Sequence, residues 1–181
     1  LLNAKRLLKQ NNITASLSFM VGLPIPEKMN ISIDEEFKIM LDNIKAVQSI
    51  DDNNNIKIFV YTPYPGTPLF SYSIEKGLKQ PATLEEWSTW GNTNVNEAAV
   101  WIPKKYEQIV DVLTWYVLPY TSIQFSKTWE HHYTGKYKFL KRNFHKTMRF
   151  LAKKRLQHNY FGCAIDYRML IALRRMKVRF H

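Results

Sequence analysis

Ile13-Thr14-Ala15-Ser16-Leu17-Ser18-Phe19-Met20-Val21-Gly22-Leu23-Pro24 is the stretch whose reading decides the fold. Ile13, Ala15, Leu17, Phe19 and Val21 alternate with Thr14, Ser16, Ser18 and Met20, the two-residue period of a strand whose successive side chains point to opposite faces. Gly22 and Pro24 stop it. Further on, Ser32-Ile33-Asp34-Glu35 is a capping box, and Ile33, Phe37, Met40, Leu41, Ile44 and Val47 follow as one apolar helical stripe. Asp51 to Asn55 is a polar turn. Ile56 to Thr62, rich in β-branched and aromatic residues, predicts a second strand. Strand, helix, strand makes a βαβ unit with parallel strands and a right-handed crossover.

Working outward, Leu1, Leu2, Ala4, Leu7 and Leu8 recur at helical spacing, and Asn11-Asn12 tolerates the left-handed conformation that ends a helix. After the second strand, Pro63-Tyr64-Pro65-Gly66-Thr67-Pro68 lacks the donors for regular structure. Thr67 suits an N-cap and Pro68 the first helical position, which predicts a helix from Pro68 to Lys76 ended by Gly77. Thr83-Leu84-Glu85-Glu86 is a second capping box, opening a short helix through Trp90. Beyond Pro103 come longer helices. Ile109, Val110, Val112, Leu113, Tyr116 and Val117 are the apolar positions of one, and Pro119 predicts its kink or break near Leu118. Two more are expected from Lys138 to Gln157 and from Ile165 to Lys177, parted near Gly162. The chain thus divides into 1–77, a connecting extension 78–104, and a basic helical region 105–181.

Composition narrows the function classes. With 45% hydrophobic and 23% charged residues in 181, disorder and collagen are excluded. The single thiol, Cys163, excludes an internal disulfide and a metal site held by several thiolates. Residues 1–100 hold 9 Lys/Arg and 11 Asp/Glu, a balance of −2, so 101–181 carries the remaining 17 bases and 4 acids, or +13. Such asymmetry points to an anionic partner or to a solvated basic face. The apolar run 109–125 is interrupted by Asp111, Thr114, Pro119 and Gln124, and falls short of the about 20 residues of a span. Leu1 to Leu8 reads as the middle of an amphipathic helix without a leader, so the expectation is a piece of a longer protein.

In parallel α/β architectures ligands gather at the carboxyl ends of the strands. Gly22-Leu23-Pro24 and Tyr61 to Phe70 both fall there. On spacing alone they read either as a ligand-facing rim or as rigid connectors. The order of these features, strand ending Ser18 to Pro24, capped helix, strand ending Tyr61 to Leu69, then Gly77 and Glu85-Glu86-Trp87, resembles the C-terminal half of the radical SAM domain. Within that superfamily it is most similar to the cobalamin (B12)-binding class, relatives of the anaerobic magnesium-protoporphyrin monomethyl ester cyclase. The resemblance covers about residues 1–90.

The resemblance implies an α/β fold, the C-terminal part of a partial (β/α)6 TIM-like barrel followed by a basic, mostly α-helical extension. It implies an enzyme that, when intact, binds a 4Fe-4S cluster, cleaves S-adenosylmethionine reductively and modifies or methylates a small-molecule substrate by radical chemistry, with cobalamin as a possible second cofactor. The cysteines that ligate the cluster would lie upstream of Leu1, so the fragment alone would be inactive. No metal ligand and no catalytic residue is assigned within the chain. Met20, Val21 and Gly22 would pack against the adenine, and backbone groups of Tyr61, Thr62 and Pro63 would meet its edge. The reading of the residues beside this is that Met20 and Val21 are core. The family's Gly-Leu-Pro-Gly-Glu is here Gly22-Leu23-Pro24-Ile25-Pro26-Glu27, which trades a flexible residue for a second proline. An oxygen-sensitive cluster implies a cytoplasmic setting.

Other constellations weigh less. His131-His132, His145 and His158 have no metal-ligand spacing, and Asp34, Glu35 and Glu36 are explained by helix capping. Tyr64, Trp87 and Trp90 either meet a large planar substrate or, for Trp87, pin the extension. Lys136, Lys138, Lys141, Arg142, Lys146, Arg149, Lys153, Lys154 and Arg155 interleave with Tyr137, Phe139, Phe144 and Phe150. That composition suits an anionic membrane surface, nucleic acid less well because no nucleic-acid motif is present, or the rest of the same protein. The alternative to the enzyme is therefore a non-enzymatic basic helical module that binds a membrane surface or nucleic acid.

Overall fold

The computed structural model describes residues 1–25, 29, 31–89, 100–123 and 138–178. Helix α1 (Leu2–Gln10) ends at Asn12, whose φ of +56° is the left-handed conformation its side chain favours. The residue that α1 buries is Lys5 rather than a leucine, at 1% exposure. Its Nζ donates to Asp51 Oδ2 at 2.7 Å while Lys9 Nζ donates to the Ile50 carbonyl, so the stems pack and the charges are paired.

Strand β1 (Ala15–Val21), helix α2 (Ile33–Ile50) and strand β2 (Asn54–Val60) form the expected βαβ unit. The strands are parallel, in register from Ala15 opposite Asn54 to Val21 opposite Val60. At the start of α2 the Ser32 hydroxyl accepts from the Glu35 N–H, and the Glu35 carboxylate accepts from the Ser32 N–H, which completes the capping box. Phe37, Met40, Leu41, Ile44 and Val47 of α2 are buried. Together with the helices after residue 104, they cover the sheet face formed by Ala15, Leu17, Phe19 and Val21 with Asn54, Ile56, Ile58 and Val60. Ser16, Ser18, Met20, Asn55, Lys57 and Phe59 occupy the opposite face and are exposed.

Helix α3 (Pro68–Glu75) begins with proline and gives way to Gly77 at φ +98°. Thr67 takes the expected N-cap position, but its hydroxyl donates to the Tyr64 carbonyl at 2.7 Å and tightens the preceding turn instead of capping the helix. In α4 (Leu84–Thr89) the Thr83 hydroxyl accepts from the Glu86 N–H, but Glu86 reaches back to the Ala82 N–H, one residue beyond the box. Trp90, Glu27, His131, His132, Lys136 and Tyr137 lie outside the described residues.

Helix α5 (Lys104–Val112) runs through a π-helical turn (Leu113–Val117) into α6 (Leu118–Thr121). Of the kink or break expected near Leu118, a break does not occur: the helix continues, with a local π-helical irregularity before the proline. Proline has no N–H and its ring would strike the carbonyl four residues back, and the wider turn, with the Leu118 N–H on the Leu113 carbonyl, absorbs that conflict while the helix continues. The end of α6 is tied to the βαβ unit: Ser122 Oγ donates to the Asn54 carbonyl at 2.8 Å, Gln48 to Thr121 Oγ1 at 2.9 Å, and the Ile123 N–H to the Asp52 carbonyl.

Helices α7 (Lys138–His158) and α8 (Ile165–Val178) follow. Between them Arg155 acts as a clamp. Its guanidinium donates to both oxygens of Asp166 and to the carbonyls of Tyr160 and Cys163, and the Tyr116 hydroxyl lies 3.0 Å from both Asp166 Oδ2 and the Met148 carbonyl. Val21, Phe37 and Ile44 belong to the same buried cluster as Tyr106, Leu113, Tyr116, Met148 and Leu170, so the βαβ unit and the basic helices share one core. The fold is mixed α/β, and among the described residues the sheet has two strands. No helix of the described residues is long and apolar enough to cross a membrane.

Candidate ligand rim at the carboxyl ends of the strands

Both strands end at the same side of the sheet, where the Tyr61 N–H extends the ladder onto the Val21 carbonyl at 2.8 Å. The chain then turns away at Gly22, whose φ is +76°. A carboxylate fixes that turn: Glu36, one turn into α2, accepts from the Gly22 N–H at 3.0 Å and the Leu23 N–H at 3.2 Å. Burial raises the Glu36 pKa above its ordinary value, and the two amide hydrogen bonds pull it part of the way back. From the other direction Trp101 Nε1 donates to the Gly22 carbonyl at 3.1 Å.

Gly22 is small because its own chain needs the space. A Cβ built there would sit 2.1 Å from Ile102 Cδ1. The side of this glycine where a Cβ would point is thus covered by Ile102. The Val21 side chain is fully buried on the helix-covered face, among the core residues.

Met20 points the other way. It is 56% exposed on the open face, and its register partner across the ladder is Phe59, 47% exposed. These two form an apolar pair at the carboxyl end of a face that is otherwise Ser16, Ser18, Asn55 and Lys57. Phe59 lies inside β2, one residue before its end, and not in the loop that the sequence marks with prolines. The alternation that exposes Met20 was the signal that would have found it. Tyr61 and Thr62 are half-buried, and Pro63 is buried, as is Pro24 on the neighbouring loop. The Tyr61 hydroxyl is a buried polar atom with no hydrogen-bond partner. Gly66 has φ +81° in open space, and Tyr64 beside it is exposed.

The rim therefore has a soft apolar surface at Met20 and Phe59, beside the buried Pro24 and Pro63. A metal cluster does not fit the described residues, which contain no group of three or more His, Cys, Asp or Glu able to hold an ion. Cys163 lies exposed in the turn between α7 and α8. Asp34 pairs with Lys105 at 3.1 Å, Glu35 is held below the ordinary carboxylate range by the Ser32 N–H and hydroxyl, and Glu36 serves the turn, so the three acids do not converge. His145 Nδ1 is 2.8 Å from the Tyr120 hydroxyl. Comparison with family models, curated proteins and solved structures returns no match.

Proposed function

We propose that this chain supplies the closing strands of a partial (β/α)6 barrel in a radical SAM enzyme, most similar to the cobalamin-binding class, and that its part is to receive the adenine of S-adenosylmethionine. The observation that carries the reading is the Met20–Phe59 pair at the carboxyl end of an open, parallel sheet face. In a closed barrel that face is the interior, and its polar residues below an apolar rim suit a cofactor that presents a flat ring above and charged groups below. The contact then passes through Met20 and Phe59, with the backbone of Tyr61, Thr62 and Pro63 along the ring's edge. Val21 and Gly22 act behind it, as core and as turn.

The chemistry of cluster and cobalamin comes from parts of the protein beyond these residues. What this chain contributes is a rim already shaped before binding, in which Glu36 and Trp101 hold the turn so that little reorganises when the ring arrives. The substrate and any methyl acceptor are not specified by the rim.

Anaerobic purification of the intact protein, followed by addition of S-adenosylmethionine and dithionite, tests the reading. Release of deoxyadenosine is expected. Met20→Ser with Phe59→Ser should weaken S-adenosylmethionine binding about tenfold or more, the scale of one lost aromatic burial, without unfolding the sheet. An intact protein that takes up no iron–sulfur cluster overturns the assignment. So does a stoichiometric cluster on residues 1–181 alone, because it would put the ligands where this reading has none.

A further inference from the structure

Helix α7 has two faces that serve different ends. Met148, Ala152, Arg155 and Leu156 are buried against the core. The opposite side carries Phe139 and Phe150, eleven residues apart, which at about 100° per residue brings the two rings to within about 20° of one line along the helix. Both stand free of the core, 64% and 60% exposed, and Leu140 next to the first is exposed equally. Cations flank them. The Arg142 guanidinium is 5.9 Å from the Phe139 ring centroid and Lys154 Nζ is 5.9 Å from that of Phe150, while Lys146 and Lys153 are exposed on the same side. From Lys138 to His158 there is no acidic residue.

The next helix repeats the theme. Ile165, Met169 and Leu173 recur every fourth residue along α8 and are all exposed. Its one acid, Asp166, is neutralised within the clamp by Arg155. Exposed rings and aliphatic side chains clustered away from a core cost free energy in water, and folding alone does not account for them.

We propose that α7 lies flat on an anionic lipid bilayer, with Phe139 and Phe150 inserted below the headgroups and Arg142, Lys146, Lys153 and Lys154 at the level of the phosphates. The charge calls for an anionic partner. The apolar residues choose between partners: Leu140 has no ring to stack on a base, whereas a bilayer solvates it beside the phenylalanines. The helix rests on the surface and does not enter the bilayer lengthwise, since its 21 residues are too rich in Lys and Arg to cross. This surface lies on the outer side of α7 and is independent of the Met20–Phe59 rim.

Co-sedimentation of the intact protein with vesicles provides the test. Phosphatidylcholine vesicles containing about 30% phosphatidylserine should carry the protein down, and pure phosphatidylcholine should not. Replacing Lys146, Lys153 and Lys154 together with Gln should weaken the binding about a hundredfold, at about 1 kcal/mol for each charge. Phe139→Ser with Phe150→Ser should weaken it about tenfold or more, and Phe139→Trp with Phe150→Trp should retain it. The last pair keeps the test meaningful if the serine variant loses helix. Lys38→Gln with Lys79→Gln, exposed cations in the first half of the chain, should bind like the parent. Failure to bind phosphatidylserine vesicles overturns the proposal, as does a folded serine pair with parental affinity. A single-stranded oligonucleotide bound more tightly than the vesicles also overturns it and makes the face a nucleic-acid site.

Discussion

At Gly22 and Gly66 the same residue type answers two different needs. Both have positive φ, but Gly22 is pressed against Ile102 and Gly66 faces open space. Gly66→Ala should therefore cost only the backbone term, about 1–2 kcal/mol. Gly22→Ala adds an overpacking term and should cost about 2–4 kcal/mol, read from urea midpoints at constant slope. Carboxylates divide in a similar way. The Lys5 hydrogen bond holds Asp51 below its ordinary pKa. Burial opposes ionisation of Asp166, yet the Arg155 and Tyr116 hydrogen bonds outweigh it and leave that pKa lowered as well. Because the unfolded chain binds more protons at these two positions, their stabilisation is complete above an unfolded pKa of about 3.9 and is lost as pH falls through the lower native values. Glu36 has the reverse sign, since its raised native pKa means that stability falls as pH rises through that value. Urea midpoints between about pH 2 and pH 5 should show a shallower acid loss for Asp166→Asn than for the parent.

Among the elements, the helix with the clearest local signal is the one whose sequence and structure agree most closely. Ser32 and Glu35 specify the start of α2 by themselves, and the stripe from Phe37 to Val47 specifies its buried face. The alternation from Ala15 to Val21 likewise depends only on neighbours along the chain. What local reasoning missed depends on residues far away. Pro119 reads as a breaker until the π-helical turn is seen to absorb it, and Lys5 reads as exposed until Asp51 arrives beside it. The neighbour of Gly22 on its Cβ side is Ile102, 80 residues later, which the local sequence does not announce. The turn between α7 and α8 belongs with these, because its shape comes from one guanidinium that gathers Asp166 and two carbonyls. Lysine has the charge but not the fork. Arg155→Lys should cost about 2–4 kcal/mol and speed amide exchange between Asn159 and Ala164, measurable by mass spectrometry.

For the whole molecule the shared core matters most. Phe37 packs its ring 4.2 Å from that of Tyr106, centroid to centroid, so the covering of the βαβ unit comes from the basic half of the chain. Removing residues 104–181 should leave the α2 side of the sheet wet, and the remainder should be insoluble or non-cooperative in a thermal melt. The composition had suggested two halves because charge is visible in a sequence, whereas the inward-facing Tyr106, Leu113 and Tyr116 that join them carry no mark of their partners. The rim was legible to the extent that loops at strand ends are, and Phe59 was hidden by its place one residue inside the strand. One exposed thiol sits at the base of the Arg155 clamp, and the chain contains no other cysteine. A maleimide fluorophore added to the 181-residue chain would therefore attach at a single known point, Cys163, and its emission would report directly on whether the turn between the two basic helices is closed.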